Sequence, residues 1–305
     1  MSGCRCFRVA AALLLTLCSI GVVSAKPALW MARQGQSTVY LLGTVHLLPS
    51  DTNWSSRALD EALRHSDDLT LELTDDDPAN MRTLITQYGV DADHPLSSKL
   101  STTDQAKLAQ AAAAAKLPGG VAMLQPMQPW LAALTLTMAP LMQAGLDPSE
   151  GVDKVLKGKM QAAGKPIHGL ETAEQQLRLL AKLPQPQQVD FLRQSFDQVS
   201  DGVARVRQLI DAWKRGDVAA IARIEDNDLR QDSPALYQSM VVARNRAWAQ
   251  LIAQRMRQPG VHFIAVGAAH LAGPDSLQVQ MEKLGIAVQR APDAPPQVKR
   301  AAADN

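Results

Sequence analysis

Two apolar runs, far apart in this chain, end in the same step. Val39-Tyr40-Leu41-Leu42 runs into Gly43-Thr44-Val45-His46, and Phe263-Ile264-Ala265-Val266 runs into Gly267-Ala268-Ala269-His270; a leucine follows each histidine. An apolar run of this length reads as a buried strand, and a strand delivers its chain to the carboxyl edge of a sheet, where open α/β sheets bind ligands. The glycine lets the backbone turn sharply. The histidine three residues later then stands over the edge. If both runs lie in one sheet, two imidazoles face one cleft, and imidazole binds divalent metals or moves protons near neutral pH. Singly, each Gly-x-x-His is a weak signal, and a histidine near a strand end is usually structural; the repeated context carries the inference.

The remaining pattern predicts what surrounds these strands. Leu29–Arg33 and Thr38–Gly43, split by Gln34-Gly35-Gln36-Ser37, read as a hairpin. Ser55–His65 has a helical apolar stripe, Leu69–Leu73 alternates as a strand, and Asp77-Pro78 opens a helix. From Thr102 to Leu183 the pattern is helical, with a break at Leu117–Gly120, an apolar helix over Trp130–Ala144, a short strand at Lys165–Leu170 and a capping box at Thr172-x-x-Gln175. Gln187–Arg257 reads as a helical array broken near Asp201-Gly202, Gly216 and Ser233-Pro234. Pro274–Leu284 reads as a helix closed by Gly285, and Ile286–Arg290 as a last strand. The expected fold is α/β: a single mixed sheet built from N- and C-terminal strands, helices packed on it, and a long, mainly helical insertion over about 100–260. The domain spans 26–290, and 291–305 reads as a disordered tail.

Residues 1–25 read as a cleaved secretory signal peptide. Arg5 and Arg8 precede an apolar run from Val9 to Val23, and the segment ends Val23-Ser24-Ala25. The run is shorter than the ~20 residues that span a bilayer. An uncleaved anchor is the lesser alternative, and so is a lipoprotein, because Leu17 stands where a residue as small as Gly, Ala or Ser is wanted before Cys18. The expected location is therefore periplasmic or secreted, with no membrane contact after signal removal. All three cysteines, Cys4, Cys6 and Cys18, fall in this segment, so the domain has neither a disulfide nor a thiolate for catalysis or metal binding. The full chain's 31 Lys and Arg against 30 Asp and Glu give +1 overall, with no basic excess to recommend a nucleic-acid partner.

Two carboxylates accompany the histidines. Glu72 alternates with Leu69, Leu71 and Leu73; on an exposed strand face it would simply be solvated, but in a sheet covered on both sides it needs a partner. Glu171 ends the strand at Lys165–Leu170, where its ordinary role is favourable charge beside a helix N-terminus. Arg244-Asn245 lies in an amphipathic helix, where a solvated pair is the default, and a buried arginine there would suit clamping a carboxylate or an oxyanion. His65, His94, His168 and His262 read as structural, with His168 and His262 serving packing or a backbone hydrogen bond. The five tryptophans read as core. Asp75-Asp76-Asp77 reads as a solvated turn and helix cap. There is no HExxH helix, P-loop, GxSxG elbow or GxGxxG turn.

Taken in order, Gly43-Thr44-Val45-His46-Leu47, the Leu-Glu-Leu around Glu72, Gly151-Val152-Asp153, Lys165 to Thr172, Arg244-Asn245 and Gly267-Ala268-Ala269-His270-Leu271 resemble the TraB/PrgY/GumN family, from about Leu29 to Arg290. That family is related to Tiki-type metalloproteases, in which paired Gly-x-x-His motifs and a glutamate are implicated in metal-dependent peptide hydrolysis. The resemblance implies that His46 and His270 are metal ligands or proton carriers for a divalent ion (Mn, Co or Zn), that Glu72 and Glu171 complete the site as ligand or general base, and that Arg244 and Asn245 bind a substrate carboxylate or the developing oxyanion. The activity implied is a periplasmic metal-dependent hydrolase, acting on peptides or another small-molecule substrate. The alternative is a non-catalytic binding or regulatory protein that uses the same cleft to sequester a peptide, a metal or a cofactor.

Overall fold

The computed structural model describes residues 26–292; the segment read as a signal, 1–25, and all but the first two residues of the tail read at 291–305 lie outside the described residues. In chain order the elements are β1 (Leu29–Gln34), β2 (Ser37–Thr44), α1 (Arg57–His65), β3 (Asp68–Leu71), α2 (Pro78–Gly89), α3 (Thr102–Ala114), α4 (Pro129–Gln143), α5 (Val152–Ala162), β4 (Ile167–Gly169), α6 (Ala173–Ala181), α7 (Gln185–Lys214), α8 (Val218–Asp232), α9 (Pro234–Tyr237), α10 (Ala243–Arg255), β5 (Gly260–Gly267), α11 (Leu277–Glu282) and β6 (Val288–Arg290). The strands form one mixed sheet in the order β4-β3-β5-β2-β1-β6. The chain is α/β, as the pattern predicts.

Strand β5 pairs in parallel with both β2 and β3, and β3 in parallel with β4. The N- and C-terminal apolar runs are therefore direct neighbours, with Thr44 opposite Gly267. Their alternation fills both faces of the sheet. Tyr40, Leu42, Leu69, Leu71, Phe263 and Ala265 pack against Ala62, Leu156, Met160 and Trp213 of α1, α5 and α7. Val39, Leu41, Ile264 and Val266 pack against Trp248 and Ile252 of α10 and Leu277 and Met281 of α11. Each such side chain contributes about 1.5–3 kcal/mol on burial, and truncating Phe263 to alanine would cost about 3–5 kcal/mol. A third apolar cluster, around Leu108, Ala112, Ala133, Leu136 and Leu192, joins α3, α4 and α7.

Local expectations meet the structure unevenly. Asp77 caps α2 through its carboxylate, and the Thr172/Gln175 capping box forms as read. The expected break at Asp201-Gly202 is absent: α7 runs straight through it. One interior glycine costs about 1 kcal/mol, which the burial of Leu192, Val199, Ile210 and Trp213 along the same helix outweighs. Strand β3 stops at Leu71 rather than Leu73, which puts Glu72 just past the sheet. Helix α11 and strand β6 are each shorter than read, because Gly285 takes a left-handed φ of 79° between them and Ile286 bonds back to Met281.

Candidate functional site

Four adjacent parallel strands end on one edge, and each supplies one ionisable side chain just beyond its last residue. His46 follows β2, Glu72 follows β3, Glu171 follows β4 and His270 follows β5. Close backbone approach holds them together. Gly267 has φ −48°, which any residue adopts, so what a side chain there would disturb is the space around its Cα, not the backbone torsion. A Cβ there would meet Glu72 Oε1 at 3.2 Å, His46 Nε2 at 3.5 Å and His270 Cδ2 at 3.6 Å. Both imidazoles and one carboxylate therefore surround a single bare Cα. On the other flank, a Cβ on Gly151 would come within 2.6 Å of the His46 carbonyl oxygen, so the α5 N-terminus packs directly against the His46 loop.

Behind this edge lies Arg244, whose side chain is only 8% exposed. Its Nε donates to both oxygens of Glu171 at 3.0 and 3.1 Å. Nη2 donates to Glu72 Oε2 at 2.7 Å and Glu171 Oε2 at 2.9 Å. Nη1 donates to the Met240 carbonyl and to His270 Nε2. A guanidinium has five N–H groups, and all five are engaged. Asn245 is fully buried; its Nδ2 donates to the carbonyls of His270 and Asp275, so its Oδ1 accepts from His270 Nδ1 at 2.7 Å. The network thereby fixes the tautomer of His270, with the proton on Nδ1 and the Nε2 lone pair facing Arg244. This geometry leaves neither Arg244 nor Asn245 a free donor for a substrate oxyanion, contrary to the expectation from the resemblance. Both act on the site from within the protein.

The electrostatics follow from this packing. Burial would raise the Glu72 carboxyl, but the positive charge of His270, Arg244 and His46 and the Gly267 N–H outweigh it and hold Glu72 down to about 2. His270 moves the other way for a histidine with an acid nearby: its burial, with Arg244 and His46 against it, lowers it to about 4, so it is neutral at pH 7. Trp248 packs on both His270 and Arg244, at 4.5 Å between centroids and 4.5 Å from the guanidinium carbon, and donates to Glu171.

His46 is the exception among these groups. It lines an open cavity of about 340 Å³ together with Thr44, Leu71, Glu72, Met81 and Asp153. Glu171, Arg244, Asn245 and His270 do not line it. Asp153 accepts from His46 Nδ1 at 3.0 Å, which leaves the Nε2 lone pair free. The imidazole keeps 59% of its side-chain surface open to the cavity although protein atoms ring it at longer range. That enclosure pulls its pKa down, but the Asp153 hydrogen bond and the charges of Asp153 and Glu72 win, and the pKa rises above the usual 6.5.

The sequence reading gave no role to Asp153, although it quoted the Gly151-Val152-Asp153 motif that contains it. It also read Trp248 as plain core and missed Gln176, which donates to Glu72 Oε2 at 2.9 Å. Of the histidines read as structural, His262 is buried but bonds the Asp68 carboxylate at 2.9 Å rather than backbone, and His168 is exposed. Asp76 pairs with Lys154 and Lys157 at the cavity rim instead of being simply solvated.

The donor set does not fit a metal ion held between His46 and His270. The His270 Nε2 lone pair accepts from Arg244, its Nδ1 proton is committed to Asn245, and Glu171 and one oxygen of Glu72 serve the same guanidinium. A cation bound there would lie against a permanent positive charge. Among the described residues, no group of three or more His, Cys, Asp or Glu side chains is arranged to hold a metal.

Comparison with known proteins places this arrangement in context. The TraB/PrgY/gumN family model matches residues 28–290. The chain is similar to the uncharacterized protein YbaP of Escherichia coli, at 25% identity over 255 residues, covering 82% of this chain and 90% of that protein. It is similar at 22% identity over 268 residues to an uncharacterized protein of Treponema pallidum, covering 83% of this chain and 80% of that one. No solved structure matches.

Proposed function

The chain belongs to the TraB/PrgY/gumN family, and from that premise we propose that it is a periplasmic or secreted hydrolase of peptides in which His46 is the general base. One observation carries the reading: His46 is held by Asp153 through Nδ1, lines the cavity, and has its Nε2 beside Glu72. The location rests on the signal-like segment at residues 1–25; no helix among the described residues is long and apolar enough to cross a membrane.

In this mechanism a water molecule in the cavity attacks the amide carbonyl carbon and gives its proton to His46 Nε2. Asp153 keeps the imidazole in the required tautomer and stabilises the imidazolium that forms, the role an acid plays behind a catalytic histidine elsewhere. A base is most effective with a pKa near the working pH, which favours His46 over Glu72, whose carboxyl is too acidic, and over Glu171, which is committed to Arg244 and Trp248. Arg244, Glu171, His270, Asn245 and Trp248 serve as the rigid backing that fixes Glu72, whose negative charge in turn raises the basicity of His46.

The test is turnover of a mixed synthetic peptide library by the purified chain, with products read by mass spectrometry. His46→Ala should abolish cleavage. Asp153→Asn should lower kcat and move the acidic limb of the pH–rate profile to lower pH, because the base then loses the acid that raises its pKa. Cleavage that persists unchanged in both variants removes the proposal. A second reading, a non-catalytic binding protein, draws on the closure of the Arg244 network, which leaves its N–H groups no work on a substrate; peptide-induced thermal stabilisation without product would favour it.

A further inference from the structure

With Arg244 and Asn245 committed inside the protein, the proposed hydrolysis needs another group to hold the oxyanion. Thr44 stands at the end of β2, two residues before His46, and lines the same cavity. It is 2% exposed, and its Oγ1 has no hydrogen-bond partner. In helices, Thr83, Thr86, Thr135 and Thr137 each return their hydroxyl to a carbonyl one turn back; the Ser37 hydroxyl on β2 is unpartnered like that of Thr44 but does not line this cavity. A buried, unpartnered hydroxyl is a liability in a folded protein unless something else completes it. Ala265 on the neighbouring strand β5 and Leu71 on the next strand, β3, also line the cavity with apolar side chains.

We infer that Thr44 is a catalytic residue whose O–H donates to the carbonyl oxygen of a bound amide. The inference rests on the hydrolase reading above. As water adds to the carbonyl carbon, the C=O π pair moves to oxygen and Thr44 holds the charge there, while the water proton sits on His46 Nε2. On collapse that pair re-forms the carbonyl, the C–N bond breaks, and the amine leaves with the proton returned from His46. The balance needs only water and the substrate. A donor aimed at developing charge is worth far more in such a site than in water.

The experiment compares Thr44→Val, Thr44→Ser and His46→Ala on the same synthetic peptide library, with kcat, KM and Tm measured for each. Thr44→Val should lower kcat roughly 10²-fold, the scale of losing one oxyanion donor, with KM within about threefold and Tm unchanged or raised. Thr44→Ser should keep kcat within about tenfold of the parent. If Thr44→Val turns over like the parent while His46→Ala is dead, this inference fails and the hydrolase reading stands. If kcat and Tm of Thr44→Val fall together, the hydroxyl completes a structural water and the inference is overturned. If the parent chain cleaves nothing, both fail together.

Discussion

Arg244 donates from Nη1 to His270 Nε2 at 3.0 Å, and this contact decides what the paired histidine motifs can do. It spends the histidine's lone pair on a fixed cation and binds that cation to the sheet edge that also carries Glu72 and Glu171. The two Gly-x-x-His units are alike in sequence and unlike in chemistry. One imidazole is locked into the protein, and the other is open to the cavity.

Removing the guanidinium should be costly. Arg244→Met leaves two buried carboxylates, 12% and 14% exposed, facing each other without a counter-charge, and breaking a buried pair in this way costs about 3–5 kcal/mol. Urea denaturation at pH 7 checks it. Adding Glu171→Gln to Arg244→Met should recover part of the loss, since it removes one of the stranded charges. A midpoint for Arg244→Met equal to that of the parent would contradict the network.

Stability should fall on mild acidification. His270 titrates near 4 in the fold against 6.5 when free, so below pH 6.5 the unfolded chain takes up a proton that the fold refuses. Its contribution is full above pH 6.5 and is lost as pH falls through about 4, on the order of 3 kcal/mol in all. Glu72, ionised down to about 2 against 4.5 when free, adds a second loss below pH 4.5. Urea midpoints taken between pH 7 and pH 4 should decline, and His270→Gln should flatten the decline above pH 4.5. A parent chain equally stable at pH 7 and pH 5 would count against the buried neutral imidazole.

Much of this architecture was legible in the residues. Apolar runs at β2 and β5 are long enough to mark strands, and the Gly-x-x-His after each marks the edge; the Asp77 cap and the Thr172/Gln175 box are local, so neighbouring residues alone announce them. What stayed hidden depends on distant partners. Gly202 reads as a break because propensity is local, whereas the packing of α7 that overrides it is not. The resemblance alone implies that Arg244 and Asn245 meet the site, and it does not say from which side. Asp153 is far from His46 in sequence, and only the crossing of the α5 N-terminus over the His46 loop makes it the acid of that pair.

Chelation separates the metal-dependent expectation from the donor set found. Dialysis of the purified chain against EDTA should leave peptide turnover within about twofold, because the His270 lone pair and the Glu171 carboxylate are already committed to Arg244, and a ligating imidazole needs that lone pair free. Metal content is read in parallel by elemental analysis. Loss of turnover on chelation, restored by Mn, Co or Zn, would mean that Arg244 leaves His270 in the working enzyme.

Gly267→Ala tests whether the bare Cα between the two imidazoles matters to function rather than to folding. The backbone there is at φ −48°, so alanine adds no torsional strain. The new methyl would sit 3.2 Å from Glu72 Oε1, tight enough to push it by a few tenths of an ångström, and 3.5 Å from His46 Nε2, an ordinary contact. A misplacement of about 1 Å in an active site costs about 10²-fold in rate, so a shift of a few tenths costs less, whereas overpacking of this size costs the fold about 1–3 kcal/mol. Turnover should therefore drop, by less than about 10²-fold, in a chain that still unfolds cooperatively in urea. Full activity in Gly267→Ala would show that the space between His46 and Glu72 is not where the reaction takes place.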